Sequence, residues 1–431
     1  MVFPVLCLLF LAALFPSLSN AQELIRKGEK IGIEKAIEIA LKNHPAIIAA
    51  RNTVDVSRSR VGEAKANYYP QVGFAAGYSR VNPASQSSSH ISAGSYNDYS
   101  GTFTATQNIY DFGRTSSQVG IQSLTLDSAR SDLENTTEQV VLGVKQTYYA
   151  LLQAGRNKAV AQETVNQFQK HLDQARGFYE VGTASKYDVT KAEVDLSNAK
   201  LNLIRADNAV RIAKVNFDNA MGVPGVPEYS IEDILSYQPY EISFEEAVKK
   251  AYANRPDLQS IIAKKNATEQ SIRLAKAQYY PYLTGNANYG WTGESFPLDS
   301  GWAAGATLNF PLFSGFLYKY QIEEAKANFG VLSANETSLR QTILLDVQQA
   351  FLNMREARER ISAAELTVRQ ATENLDIANG RYAAGVGNPI EVTDALVNYS
   401  NAKTSYNQAL YDYKVAQASL DKAMGVRYGM K

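Results

Sequence analysis

The feature that most constrains this chain is that it is written twice. Ala64-Lys-Ala-Asn-Tyr-Tyr-Pro70 returns as Ala275-Lys-Ala-Gln-Tyr-Tyr-Pro281, and Ala40-Leu-Lys-Asn-His-Pro45 returns as Ala251-Tyr-Ala-Asn-Arg-Pro256. Further on, Tyr179-Glu-Val-Gly182 matches Tyr382-Ala-Ala-Gly385, Asn198-Ala-Lys200 matches Asn401-Ala-Lys403, and Ala220-Met-Gly222 matches Ala423-Met-Gly425. These last three pairs share one offset of 203 residues, so the register runs on without gaps. An internal repeat of this size means that one supersecondary unit is used twice, and the two copies complete each other's core.

Each copy reads helix, strand, loop, strand, long helix, turn, helix. The last helix shows the clearest periodicity. Ala192, Leu196, Ala199, Leu203, Ala206, Val210, Ala213, Phe217 and Ala220 step by four and three, and so do Ala395, Tyr399, Ala402, Tyr406, Ala409, Tyr413, Ala416, Leu420 and Ala423. A sustained seven-residue repeat predicts coiled-coil packing, although either helix alone also suits an ordinary bundle. No proline interrupts the chain between Pro83 and Pro224 or between Pro311 and Pro389. A helix from about Thr115 to Tyr179 is therefore expected, roughly 97 Å long at 1.5 Å per residue. Helices over 188–221 and 244–277 span about 51 Å each by the same rise, so two of them end to end match one long helix.

After Pro70 and Pro281 the period changes from helical to alternating. Val72, Phe74, Ala76 and Tyr78 alternate with Gly73, Ala75 and Gly77; in the second copy Leu283, Ala287, Tyr289 and Trp291 oppose Thr284, Asn286 and Asn288. Ten-residue strands with one apolar and one small, polar face fit a transmembrane barrel, and also a soluble sheet packed on helices. Aromatics gather at both ends of the strands, Tyr68, Tyr69, Tyr279 and Tyr280 at one and Tyr78, Tyr289, Trp291 and Trp302 at the other, as at the two interfaces of a bilayer. Four strands cannot close a barrel, since known barrels begin at about eight. If these hairpins enter a membrane, the chain must oligomerise.

The chain divides on this reading into a signal peptide at 1–21, a first repeat at 22–225 with a β hairpin at about 70–112, a mid-height linker at 226–243, and a second repeat at 244–431 with a hairpin at about 281–313. Val5 to Phe15 is an apolar run too short to span a bilayer, and Ser19-Asn20-Ala21 is a small-residue cleavage site. No Lys or Arg precedes that run, and the single cysteine, Cys7, lies inside it. The mature chain thus leaves the cytoplasm without disulfides. Forty-three basic residues balance 43 acidic ones and no basic run stands out, which argues against a nucleic-acid partner.

The doubled arrangement, the Tyr-x-x-Gly turns, the Asn-Ala-Lys helices and the closing Ala-Met-Gly together resemble TolC-type outer-membrane efflux proteins, over nearly the whole mature chain. That resemblance implies a homotrimer whose twelve-stranded transmembrane β-barrel continues into a long periplasmic α-helical barrel. It implies a passive exit duct in the outer membrane of a Gram-negative bacterium, serving an inner-membrane pump through a periplasmic adaptor in drug efflux or type I secretion. It also implies roles for residues at the helical hairpins. Glu391 and Asp394, three apart on one helix face, match acidic positions of the periplasmic constriction. Both also suit a helix N-terminus, where the dipole favours acids. Asp188 and Tyr382 match a pair that latches the closed state, and Gly387 stands where a family arginine completes it. Lys186 and Lys191 are substitutes for that arginine or solvated charges. Gly182 and Gly385 mark the tips expected to meet the adaptor, or simply turns that need a positive φ.

Enzyme signatures are missing. His44, His90 and His171 are too far apart to share a metal and are read as surface or capping residues, and there is no nucleophile elbow or phosphate loop. The rival reading is a periplasmic coiled-coil adaptor or tether without a pore. It has no use for paired amphipathic hairpins with aromatic ends.

Overall fold

Two helices set the length of the molecule. In the computed structural model, which describes residues 25–82, 94–225 and 227–427, the chain is mainly α with two β hairpins. The elements run β1 (Lys30–Ile31), α1 (Ile33–Asn43), α2 (Pro45–Ala66), β2 (Gln71–Val81), β3 (Tyr96–Tyr110), α3 (Arg114–Glu180), α4 (Lys186–Ala220), β4 (Ser230–Ile231), α5 (Phe244–Asn254), α6 (Pro256–Ala277), β5 (Tyr282–Gly293), β6 (Asp299–Asn309), α7 (Leu317–Ala383) and α8 (Pro389–Ala423). α3 and α7 have 67 residues each, about 100 Å at 1.5 Å per residue. The expected leader and His90 lie outside the described residues.

One helix expected as continuous, 244–277, is broken. α5 ends at Asn254 and α6 starts at Pro256, with Arg255 between them in extended conformation, φ −60° and ψ 122°. Proline crowds the residue before it out of the helical region and brings no N–H of its own. The first repeat breaks identically at His44, whose imidazole accepts a hydrogen bond from Ala46 N at 3.2 Å and caps α2. At the second break Arg255, almost fully buried, bonds Asp257 and reaches Asp346 on α7 at 2.8 Å.

These breaks explain the doubled Met-Gly. α4 ends at Met221-Gly222 and α8 at Met424-Gly425, both glycines at positive φ (72° and 65°) and both methionines buried. A Cβ on Gly222 would stand 2.8 Å from His44 Cα, and one on Gly425 2.8 Å from Arg255 N. The end of each coiled-coil helix is thus seated directly on the break of an upper helix pair, which only glycine permits. Beside this junction β1 pairs in parallel with β4, and the Tyr148 hydroxyl, near the middle of α3, donates to Glu232 O at 2.6 Å. Tyr148, Phe217 and Tyr413 are fully buried in this mid-height core; burial of such a ring stabilises by about 1.5–3 kcal/mol.

Above the junction α3 lies between α2 and α6, and α6 between α3 and α7. Ser128 and Ser260 share a hydrogen bond at 3.0 Å and Lys265 pairs with Glu336 at 2.5 Å. Below it the order is α4, α3, α8, α7, tied by Lys158 to Asp207, Lys403 to Glu163 and Arg360 to Asp412. The expected heptad positions of α8 are buried from Ala395 to Ala423, with Tyr406 half-buried. The outer helices keep apolar side chains in the open: Leu201, Ile204 and Val215 on α4, Leu345, Leu352 and Ile377 on α7.

The hairpins join into one antiparallel sheet of order β2-β3-β5-β6. Register lines up Phe74, Phe103, Tyr289 and Trp302 across all four strands, and Val72, Ala105, Ala287 and Ala304 in the next row. The alternate rows, Ala75-Thr102-Gly290-Gly301 and Gly73-Thr104-Asn288-Ala303, are small and polar. The apolar face is bare, Trp302 being 77% exposed. Among the described residues β2 and β6 each leave one edge unpaired.

Candidate functional site

The residues singled out at the helical hairpins converge at the lower end of the molecule. There α3 turns into α4 and α7 into α8 through the same three backbone bonds, Gly182 N to Tyr179 O mirrored by Gly385 N to Tyr382 O, and the two that follow. Gly182 and Gly385 sit at φ 79° and 75° with open space where a Cβ would be, so the turn geometry, not a close approach, requires them.

Between the turns lies an alanine-rich core. Leu172 and Ala175 of α3, Ala192 and Leu196 of α4, Leu375 and Ala378 of α7, and Val392 and Ala395 of α8 close it. Tyr382 is only 4% exposed, edge-on to Phe178 at 5.3 Å between ring centroids and 5.1 Å from the His171 ring. Its hydroxyl and His171 Nδ1 are both buried without a hydrogen-bond partner among the described residues. His171, 3% exposed, is therefore neither surface nor cap as expected; a solitary histidine carries no periodic signal that tells the two apart. Burial holds its imidazole below the ordinary histidine range, with Asp195 opposing and Lys191 adding to that shift. Burial, and then the Asp188 charge, holds the Tyr382 hydroxyl above the ordinary tyrosine range.

Asp188 and Tyr382 are thus neighbours in space but share no bond in one protomer. The Asp188 carboxylate accepts from Ser185 N at 3.0 Å and from Ser185 Oγ at 2.8 Å, while Ser185 Oγ accepts from Asp188 N, a reciprocal capping box. Lys191 pairs with Asp195 at 2.8 Å, and Thr393 Oγ1 donates to that same carboxylate at 3.2 Å, joining α4 to α8. Lys186 lies over the Tyr179 ring at 5.9 Å.

Glu391 and Asp394 stand exposed on one face of the first turns of α8. Neither caps the helix: Asn388 does, accepting from Ile390 N at 2.9 Å. Glu391 is approached by Arg381 Nε at 3.4 Å, a partner ten residues back that spacing rules did not flag. At Gly387 a Cβ would stand 2.7 Å from Tyr382 N, so the turn leaves no room for any side chain there.

At the other end of the molecule, Tyr68, Tyr69, Tyr279 and Tyr280 are exposed between the upper helices and the strands, while Tyr78 and Trp302 are exposed on β2 and β6. Tyr289 and Trp291 pack edge-to-face at 4.9 Å on β5. The structure adds Tyr110, Phe112, Phe310, Leu312, Phe313 and Phe316 to the lower group, all exposed. Phe112 stacks on Tyr280 at 5.4 Å. Phe112 and Phe316 hold positive φ, 51° and 66°, which bulky residues rarely adopt. They are not repeat partners: Phe112 matches Gly315 and Phe316 matches Gly113, so each stands beside a glycine just before α3 or α7.

Among the described residues no group of acidic, His or Cys side chains is placed to hold a metal, and no helix is long and apolar enough to cross a membrane. A cleft of about 1310 Å³ lies at mid-height between α1, α3, α8 and the linker, far from the tips, with Glu138 and buried Lys414 in its wall.

Known proteins share this architecture. The sequence profile of the outer membrane efflux protein family matches residues 36–223 and again 247–426. Outer membrane protein TolC of Escherichia coli K12 is 23% identical, covering 95% of this chain and 84% of its own. The outer membrane protein VceC of Vibrio cholerae superposes with a TM-score of 0.80 at 18% identity, over 91% of this chain and 96% of its own. The CmeC outer membrane channel of Campylobacter jejuni gives 0.79 at 18% identity, over 93% and 87%.

Proposed function

The chain belongs to the outer membrane efflux protein family, and from that premise we propose that it is the outer-membrane exit duct of a tripartite efflux or type I secretion system. It is a passive conduit and not an enzyme, carrying outward what an inner-membrane pump delivers through a periplasmic adaptor. The helices stand in the periplasm and the sheet lies in the outer membrane.

The observation that carries this reading is the open four-stranded sheet. Its aromatic face is bare and both edge strands have a free side, a state that water does not tolerate and that lipid and further copies satisfy. Three protomers supply twelve strands, enough to close a barrel. The helical tiers support the same assembly, because α4 and α7 are different edges with exposed apolar side chains. A head-to-tail contact of α4 on α7, repeated about an axis, closes a ring. In that ring lipid meets Tyr68, Tyr69, Tyr279 and Tyr280 at one interface and Tyr78, Tyr289, Trp291 and Trp302 at the other. Glu391 and Asp394 surround the narrow end, Asp188 and Tyr382 hold it closed, and the turns at Gly182 and Gly385 meet the adaptor.

The test pairs native mass in detergent with current across a planar bilayer. The expected result is a mass of three chains together with small ionic currents. Inserted protein that passes no current would instead support a tether without a pore.

A further inference from the structure

The first turns of α8 treat their two carboxylates differently. Asn388 caps the helix, which frees Glu391 from that duty. The guanidinium of Arg381, in the last turn of α7, reaches across the turn with Nε 3.4 Å from Glu391 Oε2 and Nη2 3.5 Å from Val386 O. Gly387 keeps this crossing short: a Cβ at this position would stand 2.7 Å from Tyr382 N and 3.0 Å from Arg381 Cβ, closer than a side chain tolerates. Asp394, one turn on and on the same face, has no hydrogen bond or ion pair among the described residues.

We propose that Arg381 sets the charge of the narrow end, by pairing with Glu391 and leaving Asp394 as the carboxylate that selects passing ions. This rests on the reading above that Glu391 and Asp394 surround the tunnel axis. A ring of six carboxylates then carries the net charge of about three, because each protomer brings its own cation. Arg381 is thereby a selectivity residue, although it is on α7 and outside the acidic pair itself. Its partner in the first repeat is Phe178, so the cation belongs to one tip only.

The experiment measures reversal potentials under a salt gradient for the full-length protein in planar bilayers, with insertion checked for every variant. Arg381→Gln is expected to raise the cation-to-anion permeability ratio by roughly twofold or more, since the ring regains its full charge. Asp394→Asn and Glu391→Gln each balance the ring and are expected to bring the ratio close to that of free solution. The deciding variant is Arg381→Gln/Glu391→Gln, which removes one charge of each sign and is expected to return the ratio to the native value. If Arg381→Gln is silent and the double variant behaves as Glu391→Gln alone, Arg381 plays no part and the proposal falls while the acidic constriction stands. If neither carboxylate variant changes selectivity, the constriction reading itself has failed.

Discussion

The two helical hairpin tips are built on one backbone and used in two ways. Tyr179 is 46% exposed with a lysine above it, whereas its repeat partner Tyr382 is buried against Phe178 and His171. Asp188 turns back on Ser185 to cap its own helix, whereas its partner Glu391 is taken by Arg381. Lys191 pairs locally with Asp195, whereas its partner Asp394 is a bare carboxylate. Duplication supplies a turn and a heptad seam; substitution at matched positions then makes one tip the packing partner and the other the charged one.

The sharpest way to break this comparison is at the paired tyrosines. Tyr382→Ala should cost about 3–5 kcal/mol of local stability, because a buried ring leaves a cavity, while Tyr179→Ala should cost less than about 0.5 kcal/mol. Amide hydrogen exchange over the two tips reads both, and equal protection losses would show the tips to be equivalent.

Next is Glu138, whose repeat partner is Gln341. Burial raises the Glu138 carboxyl to about 7, and its Oε1 is buried without a hydrogen-bond partner among the described residues. The folded-state value lies above the ordinary 4.5, so its contribution is fully present below 4.5 and is lost as pH rises through about 7. Glu138→Gln, which copies the second repeat, should therefore stabilise by up to about 3 kcal/mol at pH 8, and by progressively less toward pH 4.5. Thermal unfolding across that range checks the slope.

A smaller effect is expected at Gly387. Gly387→Ala forces its methyl into the end of α7 and should cost about 1–3 kcal/mol, whereas Ala184→Gly at the matched position should cost no more than about 1 kcal/mol. Hydrogen exchange at the second tip again supplies the readout.

Least at neutral pH, but opposite in slope to Glu138, is the effect of His171. Its folded-state value is lowered, so the unfolded chain takes up the proton first, and the tip loses stability as pH falls below about 6.5. His171→Gln should flatten that loss, while substitution of its exposed partner Asn374 should leave the profile unchanged. A tip whose exchange protection is flat from pH 7 to 5 in the native protein would rule this out.

The long helices, the alternating strands and the doubled register were legible in the sequence because each is a periodic pattern longer than a few turns. The helix breaks are equally available in principle: the expected helix 244–277 runs through Pro256, which crowds the residue before it out of the helical region just as Pro45 does. What periodicity cannot show is a pairing across a turn. Nothing in the spacing of Arg381 and Glu391 announces a contact, and nothing distinguishes buried His171 from a surface histidine until four helices close around it. The two-residue strands β1 and β4 fall below any repeat signal, yet their pairing sits where the upper and lower helices meet.

The open edges of the protomer have a genetic consequence. α4 and α7 are unlike surfaces, so a subunit damaged on α4 alone, for example by Ile204→Asp, still offers an intact α7 to its neighbour. In the ring proposed above, such a subunit joins on one side and leaves the ring unclosed. In a cell making equal amounts of native and damaged chains, only about one ring in eight is free of the defect if three subunits combine at random. A lesion of this kind behaves as a poison rather than a simple loss.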